Sequence, residues 1–163
     1  MPRVTRKRRL AAPAHEVWRI VSDPYHLPRW WPRTQRVENV SDGGPEGRKW
    51  TQVLETKDGR GIRADYLCVT ASRDERLAYE QIVEDTPFER FLQSARTEIE
   101  LEAAGEETEV TLRSDQRLRG LSRLGGFMMR RATGRTLMEA LRALDESVSA
   151  AGPSPDGPAG AHG

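Results

Sequence analysis

From Gln35 to Arg119 apolar and polar residues alternate with a period of two, punctuated by turn signals at Asp42-Gly43-Gly44, Asp58-Gly59, Ser72-Arg73-Asp74 and Ala104-Gly105. Gaps this short join only antiparallel neighbours, because a parallel crossover needs about a dozen residues or more. The segment therefore predicts an antiparallel meander with strands at residues 35–41, 48–57, 61–71, 76–84, 90–103 and 107–118. Parity assigns the faces. Ile62, Tyr66 and Cys68 oppose Arg63 and Asp65; Leu77, Tyr79 and Val83 oppose Glu80 and Glu84; Thr97, Ile99 and Leu101 oppose Glu98, Glu100 and Glu102; Val110 and Leu112 oppose Glu109, Thr111 and Arg113. One face is dry and the other wet, which predicts a sheet covered on one side only.

The flanks supply the cover. Residues 4–10 read as a first strand despite the basic run Arg6-Lys7-Arg8-Arg9. Pro13 suits a first helical turn, and Val17, Trp18 and Val21 recur at helical spacing, so a helix is expected at residues 13–21. Ser22-Asp23-Pro24 caps a short second helix, which Pro28 and Pro32 end near Trp30 and Trp31. Residues 120–150 carry Leu124, Phe127, Leu137, Leu141, Leu144 and Val148 at three- and four-residue spacings, with Arg130, Arg135, Glu139, Arg142 and Glu146 largely elsewhere. A helix of about 25 residues spans roughly 37 Å, enough to cross a sheet. The class is α+β, with one domain over residues 1–150 and a Gly-, Pro-, Ala- and Ser-rich stretch at 151–163 that reads as a disordered tail.

Composition narrows the function. Twenty-six Lys+Arg against 25 Asp+Glu leave a net charge of +1, with no general pull toward nucleic acid or anionic membrane. A strand splits the basic run between two faces and no aromatic residues interleave with it, so no nucleic-acid partner is expected. Cys68 is the only cysteine, which excludes a disulfide framework or structural zinc site within one chain and fits a reducing, cytoplasmic setting. No apolar run approaches the roughly 18 residues of a membrane span, and the basic stretch from Met1 to Arg9 is not followed by an apolar signal core. His15 and His26 lack ligand-spaced partners, and Gly59-Arg60-Gly61 lacks a third glycine and a following helix, so neither a metal nor a cofactor is expected.

The local residues add a resemblance. Leu10-Ala11-Ala12-Pro13, followed by Val17-Trp18, Asp23-Pro24 and Trp30, resembles the opening of the START-like SRPBCC superfamily, the polyketide cyclase/dehydrase and lipid-transport-like group. Arg76-Leu77-Ala78-Tyr79 resembles that group's mid-sheet strand, and residues 120–144 with Arg130 and Arg131 resemble its closing helix. The basic first strand and Glu107-Thr108 in place of the usual Gly-Thr depart from the pattern. Over about residues 4–150 the resemblance implies the helix-grip fold: a seven-stranded curved antiparallel sheet, two short helices and a long C-terminal helix closing a cavity. It does not imply one function, since the superfamily includes cyclases, aromatases, hydrolase-like enzymes, co-chaperone-like domains and carriers.

The cavity so implied has candidate walls in Trp30, Trp50, Gln52, Tyr66, Tyr79, Gln81, Thr97, Leu112, Phe127 and Met128, apolar bodies with a few polar tips. Tyr66 and Tyr79 are either core tyrosines with satisfied hydroxyls or hydrogen-bond donors to a substrate carbonyl. Gln81 is the more telling residue, because a buried amide must be satisfied and a ligand is one way to do it. Arg6 and Arg8 share parity with Val4 and Leu10, so one of them is a candidate to receive an acidic group. Of Trp30 and Trp31, one is expected in the core and the other at a rim. The expected function is binding of a small hydrophobic or aromatic molecule by a monomer or weak homodimer. The alternatives are a cofactor-free cyclase, aromatase or dehydratase using the same cavity, and a co-chaperone-like interaction module built on the Trp31 rim. Converging acid–base groups would favour the enzyme, and an apolar cavity the carrier.

Overall fold

Seven strands form one antiparallel sheet in the order β1-β7-β6-β5-β4-β3-β2 in the computed structural model, which describes residues 3–120 and 123–151. Strand β1 (Arg3–Leu10) forms despite its arginines because Val4 and Leu10 are buried while the whole strand pairs with β7 (Glu107–Leu118), from Arg3 opposite Asp115 to Leu10 opposite Thr108. Helix α1 (Ala14–Val21) buries Val17, Trp18 and Val21, with Pro13 just outside it as the cap. Asp23 then accepts a hydrogen bond from the Tyr25 N–H at 3.0 Å and starts a 3₁₀ turn, Pro24–His26, that runs into α2 (Leu27–Trp30). The meander continues through β2 (Thr34–Glu38), β3 (Lys49–Glu55), β4 (Gly61–Ser72), β5 (Arg76–Ile82) and β6 (Leu92–Ala104).

Every predicted strand is present. Four boundaries shift by two residues or more: the strand expected to reach residue 41 ends at Glu38 because Asn39 turns with φ 54°, those expected to reach residues 57 and 84 end at Glu55 and Ile82, and the one expected from residue 90 starts at Leu92 because a 3₁₀ turn, Pro87–Arg90, capped by Thr86, precedes it. Ile62 lies 43% exposed at the start of β4, where Ala64 and Cys68 are the buried residues of the expected dry face.

The convex face is a lattice of ion pairs set by register. Glu98 lies opposite Arg113 and Glu80 opposite Arg96, and Glu98 receives Arg113 at 2.9 Å, Arg96 at 3.0 Å and Arg76 at 3.3 Å. Partial burial pushes against ionisation of Glu98, but its hydrogen bonds from Arg113 and Arg96 hold its carboxyl below the usual carboxylate range.

The concave face carries the core. Leu77, Ile99, Leu101, Val110 and Leu112 from the sheet meet Leu137, Leu141, Leu144 and Val148 from helix α3 (Arg123–Ala151). Arg8 fixes the helix at this end, with Nε 2.9 Å and Nη2 2.8 Å from Asp145 Oδ2. Of the tail expected at 151–163, Ala151 ends α3 and residues 152–163 lie outside the described residues. Leu141 is fully enclosed, so Leu141→Ala is expected to cost about 2–5 kcal/mol in a denaturant titration, the usual range for a buried leucine.

Candidate functional site

The concave face changes character along the strands. Toward one end the paired positions are aliphatic, Ile99 opposite Leu112 and Leu101 opposite Val110; toward the other they are Thr97 opposite Ser114 and Ala95 opposite Gln116. Helix α3 changes at the same level. From Gly125 onward Leu137 is its first bulky buried residue, and toward the N-terminus the inward positions become Thr136, Thr133, Ala132 and Met129. Short side chains above and below cannot meet, and a cavity of about 260 Å³ remains between them. Tyr66 and Gln81, which lie opposite one another on β4 and β5, and Trp31 after α2 complete its wall.

The polar groups of this wall are hydroxyls, carboxamides and one indole N–H. Gln81 carries the clearest unmet demand, since its Nε2 is buried at the wall with no hydrogen-bond partner. A carboxamide turns easily about its last torsion, so this donor can be presented to an occupant. Gln52 is the contrast: its Oε1 accepts from Trp50 Nε1 at 3.3 Å and its Nε2 donates to Thr34 Oγ1 at 3.1 Å, which ties β2 to β3 inside the core.

Beside the cavity stands an aromatic cluster. Trp50 stacks on Tyr66 at 5.9 Å, and Tyr79 meets Trp50 and Tyr66 edge-on at 5.3 and 5.6 Å. Tyr66 turns one side to the cavity, while Tyr79 is 4% exposed and its hydroxyl is hydrogen-bonded with Thr97. Burial pushes the Tyr66 phenol up to about 12 and raises Tyr79 as well. Both hydroxyls therefore stay protonated at neutral pH.

The structure gathers Tyr66, Gln81 and Thr97 of the expected residues at the cavity and sends the others elsewhere. Trp30 is 1% exposed in the core, edge-on to Trp31 at 5.4 Å, and Trp31 is the one of the pair that reaches the cavity. Leu112 and Gln52 are sealed core, and Trp50 and Tyr79 back the wall without lining it. Phe127 and Met128 point outward, 62% and 63% exposed, and Met129 takes the inward place. The expectation of an inward arginine also changes: Arg8 is occupied by Asp145, and the Arg6 guanidinium lies against Gly134 of α3, donating to Thr5 O at 2.8 Å. Among the described residues no three His, Cys, Asp or Glu side chains are grouped to hold a metal ion.

A seven-stranded antiparallel sheet gripping a long C-terminal helix, with a cavity under the first half of that helix, defines the START-like helix-grip class. The family model described as polyketide cyclase/dehydrase and lipid transport matches residues 1–149, and the chain belongs to this family. No curated protein matches the chain. Among solved structures it is similar to the Zhui aromatase/cyclase from Streptomyces sp. R1128, at 19% identity and TM-score 0.76, over 95% of this chain and 98% of that one. A START superfamily protein from Mycobacterium smegmatis aligns at 16% identity and TM-score 0.73, over 91% and 97% of the two chains. The di-domain ARO/CYC BexL from the BE-7585A biosynthetic pathway aligns at 22% identity and TM-score 0.75, over 94% of this chain and 48% of its own length. At these identities the likeness concerns the fold.

Two measurements follow. Tyr79→Ala should cost about 3–5 kcal/mol, as aromatic truncation in a packed core does, and Tyr66→Ala distinctly less because its ring already borders open space. On the alkaline side, a phenol whose folded value lies above its ordinary value of 10.0 contributes its full stability below that pH and loses it as pH rises toward about 12. Urea midpoints should therefore fall from pH 10 upward, and less so in Tyr66→Phe; a flat profile would contradict the burial of this hydroxyl.

Proposed function

We propose that the protein binds a small, uncharged molecule with an apolar or aromatic body and at least one oxygen function, in the cavity between the β5–β7 end of the sheet and the first half of α3. The observation that carries this reading is the unpartnered Gln81 Nε2 in the wall of a cavity otherwise edged by Tyr66, Thr97, Ser114 and Gln116. A buried donor without a partner costs about 1–3 kcal/mol, and a ligand carbonyl or hydroxyl offsets that cost. A carboxylate or ammonium ligand would find no counter-charge in this lining, so neutrality is part of the reading. The volume of about 260 Å³ falls just under the range of roughly 300–1,000 Å³ typical of drug-sized sites, which points to one or two fused rings. Membership of a polyketide cyclase/dehydrase and lipid transport family agrees with such an occupant. A cytoplasmic setting fits the reading, because the free Cys68 is buried beside the core and no described helix is long and apolar enough to cross a membrane.

Catalysis on the same occupant is the second reading, and the convergence of Tyr66, Thr97, Ser114 and Gln81 on one floor favours it. These donors could hold a carbonyl chain bent for ring closure and stabilise an enolate oxygen. Proton removal would fall to water or the substrate, since Tyr66 is held protonated. Trp31, the residue on which an interaction module would rest, lines the cavity instead and so supports a ligand.

The test is a titration of hydroxylated aromatics of increasing size, such as phenol, 1-naphthol and 1-anthrol, followed by tryptophan emission and native mass spectrometry. We expect saturable one-to-one binding in the micromolar range, about −8 kcal/mol, by the smaller members. Gln81→Leu should weaken it about tenfold while leaving the thermal midpoint unchanged or raised, because it removes an unsatisfied amide along with the ligand's partner. If no member of the series binds, the ligand reading fails; if bound compounds are converted, the catalytic one replaces it.

A further inference from the structure

The net charge of +1 conceals a segregation of charge over the surface. On the convex sheet face Arg63 and Arg36 meet Glu38, and Arg76, Arg96 and Arg113 share Glu80, Glu98 and Glu100. At the cavity end Arg117, Arg119, Arg130, Arg131 and Arg135 are exposed and form no ion pair with a described residue, and the exposed carboxylates of this end, Glu84, Asp85 and Glu89, lie in the connection between β5 and β6 rather than on α3. From Arg123 to Met138 helix α3 has four arginines and no carboxylate, whereas residues 139–151 have three carboxylates and one arginine. The helix macrodipole favours the reverse order, so helix stability does not account for it.

Apolar side chains project among these free cations. Phe127 and Met128 are, with Tyr25, the most exposed large hydrophobic residues of the described chain, and Phe91, 52% exposed, is tied to the same end of the sheet by the Arg119 N–H, which donates to its carbonyl at 2.9 Å. We propose that the outer face of the first half of α3 docks on an anionic lipid surface, with Phe127 and Met128 entering the interfacial region and the arginines of α3 meeting the headgroups. A groove in a partner protein would instead read anchors three, four and seven residues apart on one stripe. The positions three and four beyond Phe127 and Met128 are Arg130, Arg131 and Ala132, so no apolar stripe continues from the pair toward the C-terminus, and cations follow it instead. A bilayer interface needs no complementary shape, and it accepts both kinds of group at one depth. The neighbouring Met129 lines the cavity, so the docking turn of α3 is also a wall of that space.

The test is cosedimentation of the full chain with vesicles, without any cavity ligand, so that its outcome is independent of the ligand reading. Vesicles of about 30% phosphatidylglycerol in phosphatidylcholine should bind the protein, vesicles of phosphatidylcholine alone should not, and binding should fall at least tenfold between about 0.05 and 0.5 M salt. Arg130→Glu/Arg131→Glu should reduce binding about tenfold or more, while Arg130→Lys/Arg131→Lys retains most of it. Phe127→Ser/Met128→Ser, which alters only exposed side chains, should reduce binding several-fold with an unchanged thermal midpoint. Absence of binding to the anionic vesicles overturns the proposal, and so does binding that neither pair of changes affects. Binding of a poly-glutamate peptide or of DNA as tightly as the vesicles, with the Phe127→Ser/Met128→Ser protein unimpaired, would show a site for soluble polyanions and overturn it too.

Discussion

The structure depends on where the apolar seam of helix α3 stops. Val148, Leu144, Leu141 and Leu137 follow one another at spacings of four, three and four residues and are all buried against the sheet and β1. Continued toward the N-terminus at the same spacings, the stripe reaches Gly134 and Thr133, neither of which can fill the space between helix and sheet. Burial of the leucines holds the second half of the helix down, and Thr136, Thr133 and Ala132 draw the next turns into no comparable contact. The cavity is the direct consequence of that interruption.

The sheet is matched to it. An aliphatic floor below Thr133 and Thr136 would leave dry voids that the chain could reduce by settling, at a saving of roughly 24 cal/mol per Å³ of cavity removed. Thr97, Ser114, Gln116 and Gln81 instead give that floor groups that water or an oxygen-bearing ligand can satisfy, so the space can stay open without stranding apolar surface. Two further contacts set the height of the helix over β1. Arg8 clamps Asp145, and Gly134 leaves room for the Arg6 guanidinium, where even a methyl group would force the arginine tip aside. The basic first strand, a departure from its relatives' pattern, thus becomes a support for the closing helix.

Strand parity, turn chemistry and helical spacing made nearly all of the fold legible in the sequence, because each depends on local geometry alone. The 3₁₀ turn before β6 was missed because Pro87 and Arg90 sit inside an otherwise alternating run; Thr86 followed by proline was the available signal. Cavity residues were less legible. Parity shows which face a side chain takes but not whether something opposite fills the space, so Leu112 and Thr97, on the same face, have opposite fates. Phe127 and Met128 were expected inside on hydrophobicity, yet a rotation of about 100°, one residue, puts Met129 there instead, and only the leucine seam from Leu137 onward fixes that phase. Ser114, Gln116, Thr133 and Thr136 were not singled out. Tracing the α3 seam backward to Gly134 would have pointed to them, since small polar residues facing the end of a seam mark unfilled space.

Stability and function are therefore divided along a single helix. The half from Leu137 to Val148 is held by leucines and by Asp145 and has little freedom to vary without loss of the fold. From Gly125 to Thr136 the helix lines the cavity on its inner side and carries Arg130, Arg131 and Arg135 with Phe127 and Met128 on its outer side, and among these residues only Gly134 is buried. Side chains there can change with the ligand or the surface served while the fold is retained. This also gives a physical reason why solved structures at 15–22% identity keep TM-scores of 0.69–0.76 to this chain: superposition reports the sheet and its helix, whereas the cavity lining and the outer face of α3 lie in side chains that the core does not constrain.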